Sequence, residues 1–262
     1  MSGINRIRNT FENREGIKLM THVVGGYPSL AASEQLVAAM AAAGADMVEI
    51  QIPFSDPTAD GPSIMTANTK ARLAGTTTDS VIDMAGRLAA SSGIPILLMS
   101  YINPVYRYGI DRFVARTVEL GISGVIIPDY PADDELGLIK KCNDSGTAFV
   151  PLVTGGSSQE RIGRVCAASD SPFLYAVLRA GVTGRKTELT GEHLSFLEMA
   201  HRVTGKYVAA GFGIREKVQV ETLSKAAHCA IIGSAVTEII EKESAAGRNP
   251  ADAVAAFIKG IR

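Results

Sequence analysis

The sequence predicts an α/β protein of the (β/α)8 TIM-barrel class, with an extra helix at each end, in a single domain over residues 1–262. Short apolar segments alternate with segments of helical character eight times along the chain, as expected when both faces of a parallel sheet are covered. The length of 262 residues suits a barrel that typically needs about 250. No Pro/Ser-rich linker or change of composition divides the chain, so a closed barrel is favoured over an open doubly wound sheet.

Each predicted strand is a short run dominated by apolar residues. In chain order the strands are Lys18–Gly25, Met47–Ile50, Ile96–Ser100, Gly124–Ile127, Ala148–Leu152, Phe173–Val177, Tyr207–Ala209 and Ala230–Ile232. The connecting helices carry ordinary helix signals: Ser33–Ala43, for example, is rich in alanine and is followed by Gly44, a common helix terminator.

Two helices follow the second strand, and one follows each of the others. The predicted helices are Asn5–Glu15, Ser33–Ala43, Ile64–Leu73, Ser80–Ala90, Ile110–Leu120, Asp133–Asp144, Ser158–Ala168, Gly191–Val203, Arg215–Lys225, Ser234–Glu243 and Asn249–Ile261. The first and the last of these lie outside the eight strand–helix units, so they are the extra terminal helices.

Composition and charge exclude several classes of function. The net charge of -1 and the pI near 6.4 give no sign of a nucleic-acid or acidic-membrane partner. No apolar run approaches the roughly 18 residues of a membrane span, and the polar N-terminus does not resemble a signal peptide. Cys142, Cys166 and Cys229 match no metal-ligand spacing, and the four histidines form no cluster. A cytoplasmic protein without a metal site is predicted.

The segment Val48–Pro62 contains the best candidates for catalysis. Glu49 lies inside an apolar strand, where desolvation disfavours an ionised carboxylate. Such a group is usually paired with a cation or used as a general acid or base; the alternative is a solvated edge residue. Because side chains alternate along a strand, Glu49 and Gln51 share one face. Asp60 follows in the next loop, at the barrel end where active sites lie.

Glycine-rich loops after three later strands predict a phosphate site. Gly211–Gly213 follows the seventh strand, and Gly233 with Ser234 follows the eighth and opens a helix. Glycine lets backbone N–H groups approach an anion, and a helix N-terminus carries a partial positive charge. A third loop, Arg179–Gly184, follows the sixth strand and could close over the site. A dinucleotide motif is excluded because Glu216 stands where G-x-G-x-x-G needs glycine.

Six motifs in this order resemble the tryptophan synthase alpha subunit family over essentially the whole chain. They are P-F-S-D-P-T-A-D-G-P at Pro53–Pro62, M-S-Y-I-N-P at Met99–Pro104, P-D-Y-P at Pro128–Pro131, R-A-G-V-T-G at Arg179–Gly184, G-F-G-I at Gly211–Ile214 and I-G-S-A at Ile232–Ala235. The first and the fourth are very specific when they occur together.

The resemblance implies a lyase that splits indole-3-glycerol phosphate into indole and glyceraldehyde 3-phosphate without any cofactor. By resemblance, Glu49 is the general acid/base, and Asp60 accepts a hydrogen bond from the indole N–H. The implied partner is a tryptophan synthase beta subunit, which receives the indole through a tunnel and faces the loop of Asp56 and Pro57. The implied substrate-binding residues are His22, Tyr101, Asp129, Tyr175, Thr183, Gly184, Phe212, Gly213, Gly233 and Ser234.

Three residues depart from the family pattern around this pocket. Gln51 replaces a glycine, His22 replaces an aromatic residue, and Leu178 replaces a serine. We expect Gln51 either to hydrogen-bond Glu49 or to crowd the pocket, and a lone histidine on a strand is more often structural than catalytic. Two alternatives to the lyase stay open: another phosphate-handling barrel enzyme, and a non-catalytic subunit that activates a beta partner. A Schiff-base aldolase is disfavoured because no predicted strand carries a lysine at its C-terminal end; Lys18 begins the first strand.

Overall fold

The computed structural model describes residues 1–13, 16–178, 189–211 and 213–262. The strands in these ranges form one parallel sheet. They are β1 (Lys18–Val24), β2 (Met47–Gln51), β3 (Ile96–Met99), β4 (Gly124–Ile126), β5 (Ala148–Phe149), β6 (Leu152–Thr154), β7 (Phe173–Val177), β8 (Tyr207–Gly211) and β9 (Cys229–Ile232). Their order across the sheet is β5-β4-β3-β2-β1-β9-β8-β7-β6.

The sheet closes into a barrel because its two outermost strands are consecutive pieces of one extended segment. Only Val150 and Pro151 separate β5 from β6. The Val150 N–H donates to the Val125 carbonyl on one side (2.9 Å), and the Pro151 carbonyl accepts from the Tyr175 N–H on the other (2.9 Å). Since proline has no N–H to donate, it interrupts the ladder. The predicted eight-stranded barrel is therefore confirmed, with its fifth strand in two pieces.

The described helices surround this barrel, with the first of them across one of its ends and the others along its outside. They are α1 (Gly3–Glu12), α2 (Leu30–Ala43), α3 (Pro62–Leu73), α4 (Thr78–Ser91), α5 (Ile102–Tyr108), α6 (Ile110–Glu119), α7 (Leu138–Ser145), α8 (Gln159–Ala167), α9 (Gly191–Thr204), α10 (Lys217–Leu223), α11 (Ser234–Ala245) and α12 (Ala251–Ile261). Within the described ranges, every helix is too short or too polar to span a lipid bilayer.

Alternate strand residues contribute to two separate apolar cores. One lies between the strands and the surrounding helices and includes Val48, Ile50 and Leu98. The other fills the barrel interior and includes Met47 and Leu97. The alternation predicted from the sequence thus holds on β2, since Val48 and Ile50 face outward while the odd-numbered residues face inward.

The first helix closes the end of the barrel where the strands begin. Its buried side chains Ile4, Ile7 and Phe11 belong to the interior core. The Phe11 ring stacks on that of Tyr207, the first residue of β8, with centroids 4.4 Å apart. The predicted N-terminal helix was expected to reach Glu15; α1 ends at Glu12, and Glu15 lies outside the described residues.

The predicted helix Asp133–Asp144 begins only at Leu138. Asp134 adopts a left-handed conformation with φ of 51°, which a helix interior does not accommodate. Its carboxylate accepts hydrogen bonds from the N–H groups of Ile139 and Lys140, both at 2.8 Å. Asp134 thus caps the helix from outside it, since an acidic side chain favours the N-terminal turn.

Candidate active site

Glu49 lies inside the barrel and contacts a histidine from the neighbouring strand. In the parallel register of β1 and β2, His22 is paired with Glu49. The Nδ1 atom of His22 lies 2.9 Å from Oε1 of Glu49, and each side chain is 4% exposed. The strand register therefore places an acid/base pair in the interior, where water screens it little.

The polar and charged neighbours of His22 raise the pKa of its imidazole against the effect of burial. Burial alone lowers the pKa of the imidazole, because it disfavours the charged form. The hydrogen bond to Glu49 and the negative charges of Glu49 and Asp60 outweigh burial, so the pKa of His22 is raised. His22 thus retains a proton to a higher pH than an ordinary histidine.

A second polar pair lies directly beyond the first. The Gln51 amide donates through Nε2 to Oδ2 of Asp60 at 2.6 Å, and both residues are buried. Burial raises the pKa of Asp60, and the hydrogen bond from Gln51 lowers it only in part. Of the two alternatives left open for Gln51, a hydrogen bond to Glu49 is not among the described contacts, because Glu49 pairs with His22 and Gln51 with Asp60.

Three buried polar atoms of this cluster have no hydrogen-bond partner among the described residues. They are His22 Nε2, Glu49 Oε2 and Gln51 Oε1. Leaving a buried polar group without a partner costs about 1–3 kcal/mol, and such groups in folded proteins call for a specific reason. All three belong to the neighbouring strands β1 and β2, so they are candidates for hydrogen bonds to a polar ligand.

Two tyrosines approach the carboxylates from other strands. The Tyr101 hydroxyl, just after β3, accepts a hydrogen bond from the Ala59 N–H at 3.0 Å, and it interacts with Asp60. Tyr175 on β7 has its pKa raised well above the usual value by burial and by the charges of Glu49 and Asp60. Both phenols are therefore neutral hydrogen-bonding groups beside the cluster at neutral pH.

Two of the glycines predicted to hold phosphate, Gly213 and Gly233, lie at the same end of the barrel. Gly233 precedes α11, and Ser234 is its buried first residue. A side-chain carbon at Gly233 would stand 3.6 Å from Cβ of His22, so the start of α11 adjoins the His22–Glu49 pair. Gly213, with φ of +85°, follows β8, in a conformation that favours glycine.

The other predicted site residues do not join this cluster through described contacts. Asp129 is exposed, and its Oδ1 accepts a hydrogen bond from the Ile102 N–H at the start of α5 (2.9 Å). Leu178, which follows β7, is buried in the outer core. Thr183, Gly184 and Phe212 lie outside the described residues.

Sequence reasoning missed the pairing of His22 with Glu49. The available signal was the position of both residues near the middle of consecutive parallel strands, but the register that brings them together depends on the whole barrel. A metal centre is not found here either: the described residues contain no group of three His, Cys, Asp or Glu side chains that could hold an ion.

Comparison with known proteins matches nearly the whole chain to one family. The model of the family described as tryptophan synthase alpha chain matches residues 9–261. A tryptophan synthase alpha chain from Syntrophotalea carbinolica is 36% identical over 256 residues, covering 98% of both chains. One from Bacillus cereus is 37% identical over 241 residues, covering 92% of this chain and 93% of the relative.

Solved structures show the same fold. A mutant tryptophan synthase alpha-subunit from Pyrococcus furiosus superposes with a TM-score of 0.85 at 25% identity, covering 94% of this chain and 98% of that chain. The barrel, the family model and the relatives lead to one conclusion: this chain belongs to the tryptophan synthase alpha chain family.

Proposed function

We propose that this chain is a lyase that cleaves indole-3-glycerol phosphate to indole and glyceraldehyde 3-phosphate, the alpha reaction of tryptophan synthase. Membership of the family supports the reaction class. The observation that carries the proposal is Glu49, a buried carboxylate inside the barrel with one oxygen that has no partner within the described part of the chain. Asp60, a second buried carboxylate, lies in the same polar cluster.

The reaction breaks the bond between C3 of the indole ring and the first carbon of the glycerol chain. A proton added to C3 makes the ring a good leaving group, and the ring nitrogen then carries positive charge. The hydroxyl on the first chain carbon loses its proton and becomes the aldehyde oxygen, while the electron pair of the broken bond restores the indole. One proton enters at C3 and one leaves the hydroxyl, so a single acid/base group can serve both transfers.

Glu49 is proposed for both proton transfers, and Asp60 for the ring nitrogen. Oε2 of Glu49 has no partner among the described residues, so this oxygen is available to donate to C3 and to accept from the hydroxyl. An ionised Asp60 accepts the hydrogen bond of the ring N–H and stabilises the positive charge that develops there. Its negative charge is maintained in part by the hydrogen bond from Gln51.

The remaining predicted residues are proposed to bind the substrate. His22, Tyr101 and Tyr175 surround the carboxylates. For the phosphate group we propose backbone N–H groups at Gly213, at Gly233 and at Ser234, the first residue of the 12-residue helix α11. Thr183, Gly184, Phe212 and Asp129 keep the substrate-binding role that the resemblance implies.

The proposed partner is a tryptophan synthase beta subunit. A solved structure described as a tryptophan synthase complex from Pyrococcus furiosus superposes with a TM-score of 0.84 at 25% identity, over 94% of this chain and 98% of that chain. On this chain, the loop that begins at Pro53 borders an open surface cavity of about 520 Å³, together with Arg72, Arg107 and Tyr108. Loop residues Ser55 and Asp56 are exposed, as expected of a surface that a partner covers.

Two broader expectations are also proposals. A cytoplasmic location is supported by Cys142, Cys166 and Cys229, which are free and buried thiols and suit a reducing compartment. A single domain is supported by the one sheet to which the strands of the described ranges belong.

The test is the release of indole from indole-3-glycerol phosphate by the purified chain, with and without a beta subunit. We expect turnover that increases when the partner is added, and a complex that is detectable by gel filtration. Turnover that the partner leaves unchanged would reject the coupling but keep the lyase. A complex that forms without turnover would reject the lyase and identify a subunit that only activates its partner.

A further inference from the structure

We propose that His22 is a positioning residue for the acid/base Glu49: it donates a hydrogen bond from Nδ1 to Oε1, directs the transferable proton to Oε2, and shares one proton with the carboxyl group. The inference rests on the proposed lyase reaction. It goes beyond it because the resemblance implies only ring contact from this position. The paired register of β1 and β2 and the 2.9 Å contact carry it.

The two oxygens of Glu49 have different surroundings. Oε1 contacts the imidazole, whereas Oε2 has no partner among the described residues. When Nδ1 carries its proton and donates it to Oε1, a proton held by the carboxyl group is directed to Oε2. That oxygen gives the proton to C3 of the ring and receives one from the chain hydroxyl. The imidazole bond persists through both transfers and stabilises the carboxylate that exists between them.

The pair also has two places for one proton. The proton can lie on the carboxyl group beside a neutral imidazole, or on the imidazole beside a carboxylate, and two coupled groups titrate as a unit. Burial lowers the pKa of His22, but the hydrogen bond and charge of Glu49, together with Asp60 and Gln51, raise it by more. With its pKa raised, the imidazole holds the proton of the pair to a higher pH than an ordinary histidine would.

Among the ionisable groups around the pair, Asp60 changes the pKa of His22, and the other three are neutral near pH 7. Asp60 adds a negative charge that further raises the pKa of His22. The pKa values of Tyr175 on β7 and Cys229 on β9 are raised well above their usual range, chiefly by burial, so both are neutral near pH 7. Tyr101 is likewise neutral. Around neutral pH, the pair therefore responds mainly to its own proton and to Asp60.

Two substitutions at position 22 separate the effect of the hydrogen bond on kcat from the effect of the shared proton on the pH dependence of kcat. His22→Phe removes both, so we expect kcat to fall about tenfold or more, with KM for indole-3-glycerol phosphate within about threefold of wild type. His22→Asn places an amide N–H near the position of Nδ1, so it restores most of kcat at the optimum. Because the amide cannot hold the proton, the basic limb of its kcat profile moves to lower pH. The control is His201→Gln on the exposed surface of α9, which should leave both quantities unchanged.

A second measurement does not depend on turnover. We expect an NMR titration of the His22 ring in the wild-type chain to give a pKa above 6.5, the ordinary value, and a lower one in Glu49→Gln. If that difference appears but the wild type releases no indole, the lyase fails while the pair stands. The proposal is overturned if Glu49→Gln leaves the titration of His22 unchanged, if His22→Phe alters KM alone, or if His22→Asn keeps the wild-type pH profile.

Discussion

The two ends of the barrel are formed by the same strands but differ in the side chains that fill the interior. At the end where the strands begin, the interior is closed by apolar side chains of α1, and Phe11 stacks on Tyr207 and packs against Phe173. At the end where they finish, the interior holds Glu49 and Asp60, with buried polar atoms left without described partners. The first arrangement gains stability from burial, whereas the second gives up stability to keep reactive groups available.

This contrast predicts which property, stability or activity, a substitution changes at each end of the barrel. A change at the closed end should alter the free energy of unfolding and leave the chemistry intact. A change at the polar end should alter the rate or its pH dependence and leave folding nearly intact. Separation of this kind is typical of barrels, in which residues at the starting ends of strands support stability and residues at the finishing ends support catalysis.

The largest effect is expected at the closed end, for Phe11→Ala. The substitution removes a buried ring and its stacking on Tyr207, and Phe→Ala changes in cores typically cost about 3–5 kcal/mol. Urea denaturation should show this loss, while kcat under native conditions stays within about twofold. As a matched control, Tyr106→Ala removes an aromatic ring that is 64% exposed and should change stability by less than about 0.5 kcal/mol. Equal losses of stability in Phe11→Ala and Tyr106→Ala would show that the closed end contributes no special stability.

The next effect is expected at the polar end, for Glu49→Gln. General acid/base groups typically contribute 10²–10⁴-fold, so kcat for indole release should fall by at least about 100-fold. Folding should be retained, because the amide oxygen of glutamine can still accept the hydrogen bond from His22. Steady-state kinetics and thermal unfolding measure the two halves of this prediction. A loss of kcat below about tenfold would mean that another group is the principal acid/base.

Sequence reasoning reached the position of Glu49 but not its environment. The alternation of side chains on one strand is local, so it correctly predicts that Glu49 and Gln51 share one face, which is the inner face that also carries Met47. The contact with His22 depends on the register between two strands, and the contact between Gln51 and Asp60 depends on the path of a loop. Pairwise contacts of this kind are fixed by the closed barrel rather than by either segment alone.

The missed elements of the fold have similarly specific causes. The helix α5, Ile102–Tyr108, was not predicted, since Asn103-Pro104 is typical of a turn. Proline is tolerated there because the first helical turn leaves its N–H groups without intrahelical partners. The fifth strand is divided at Pro151 because proline has no N–H to donate. From the sequence pattern alone, the segment is predicted as one continuous apolar strand.

A smaller effect at the polar end is expected for Gln51→Met, which keeps the length of the side chain but removes its donor. The hydrogen bond from Gln51 lowers the pKa of Asp60 against the larger effect of burial, so its loss raises that pKa further. In the proposed mechanism, Asp60 is ionised when it accepts the hydrogen bond of the indole N–H. The acidic limb of kcat/KM should therefore move to higher pH, with a loss of about threefold to tenfold near the limb. Gln35→Met on the exposed face of α2 is the control, and a limb that stays in place would refute the role of Gln51.

The smallest effect distinguishes two roles of Asp129. Its Oδ1 accepts from the Ile102 N–H, so it acts as a cap for α5, and loss of such a cap costs about 1 kcal/mol. Asp129→Ala should lower the free energy of unfolding by about that amount, with KM for indole-3-glycerol phosphate within about threefold of wild type. Asp129→Asn keeps an acceptor oxygen and should restore the stability. If KM increased in both variants while stability followed the cap, Asp129 would bind substrate as the resemblance implies, and the polar end would extend beyond the carboxylate cluster to the start of α5.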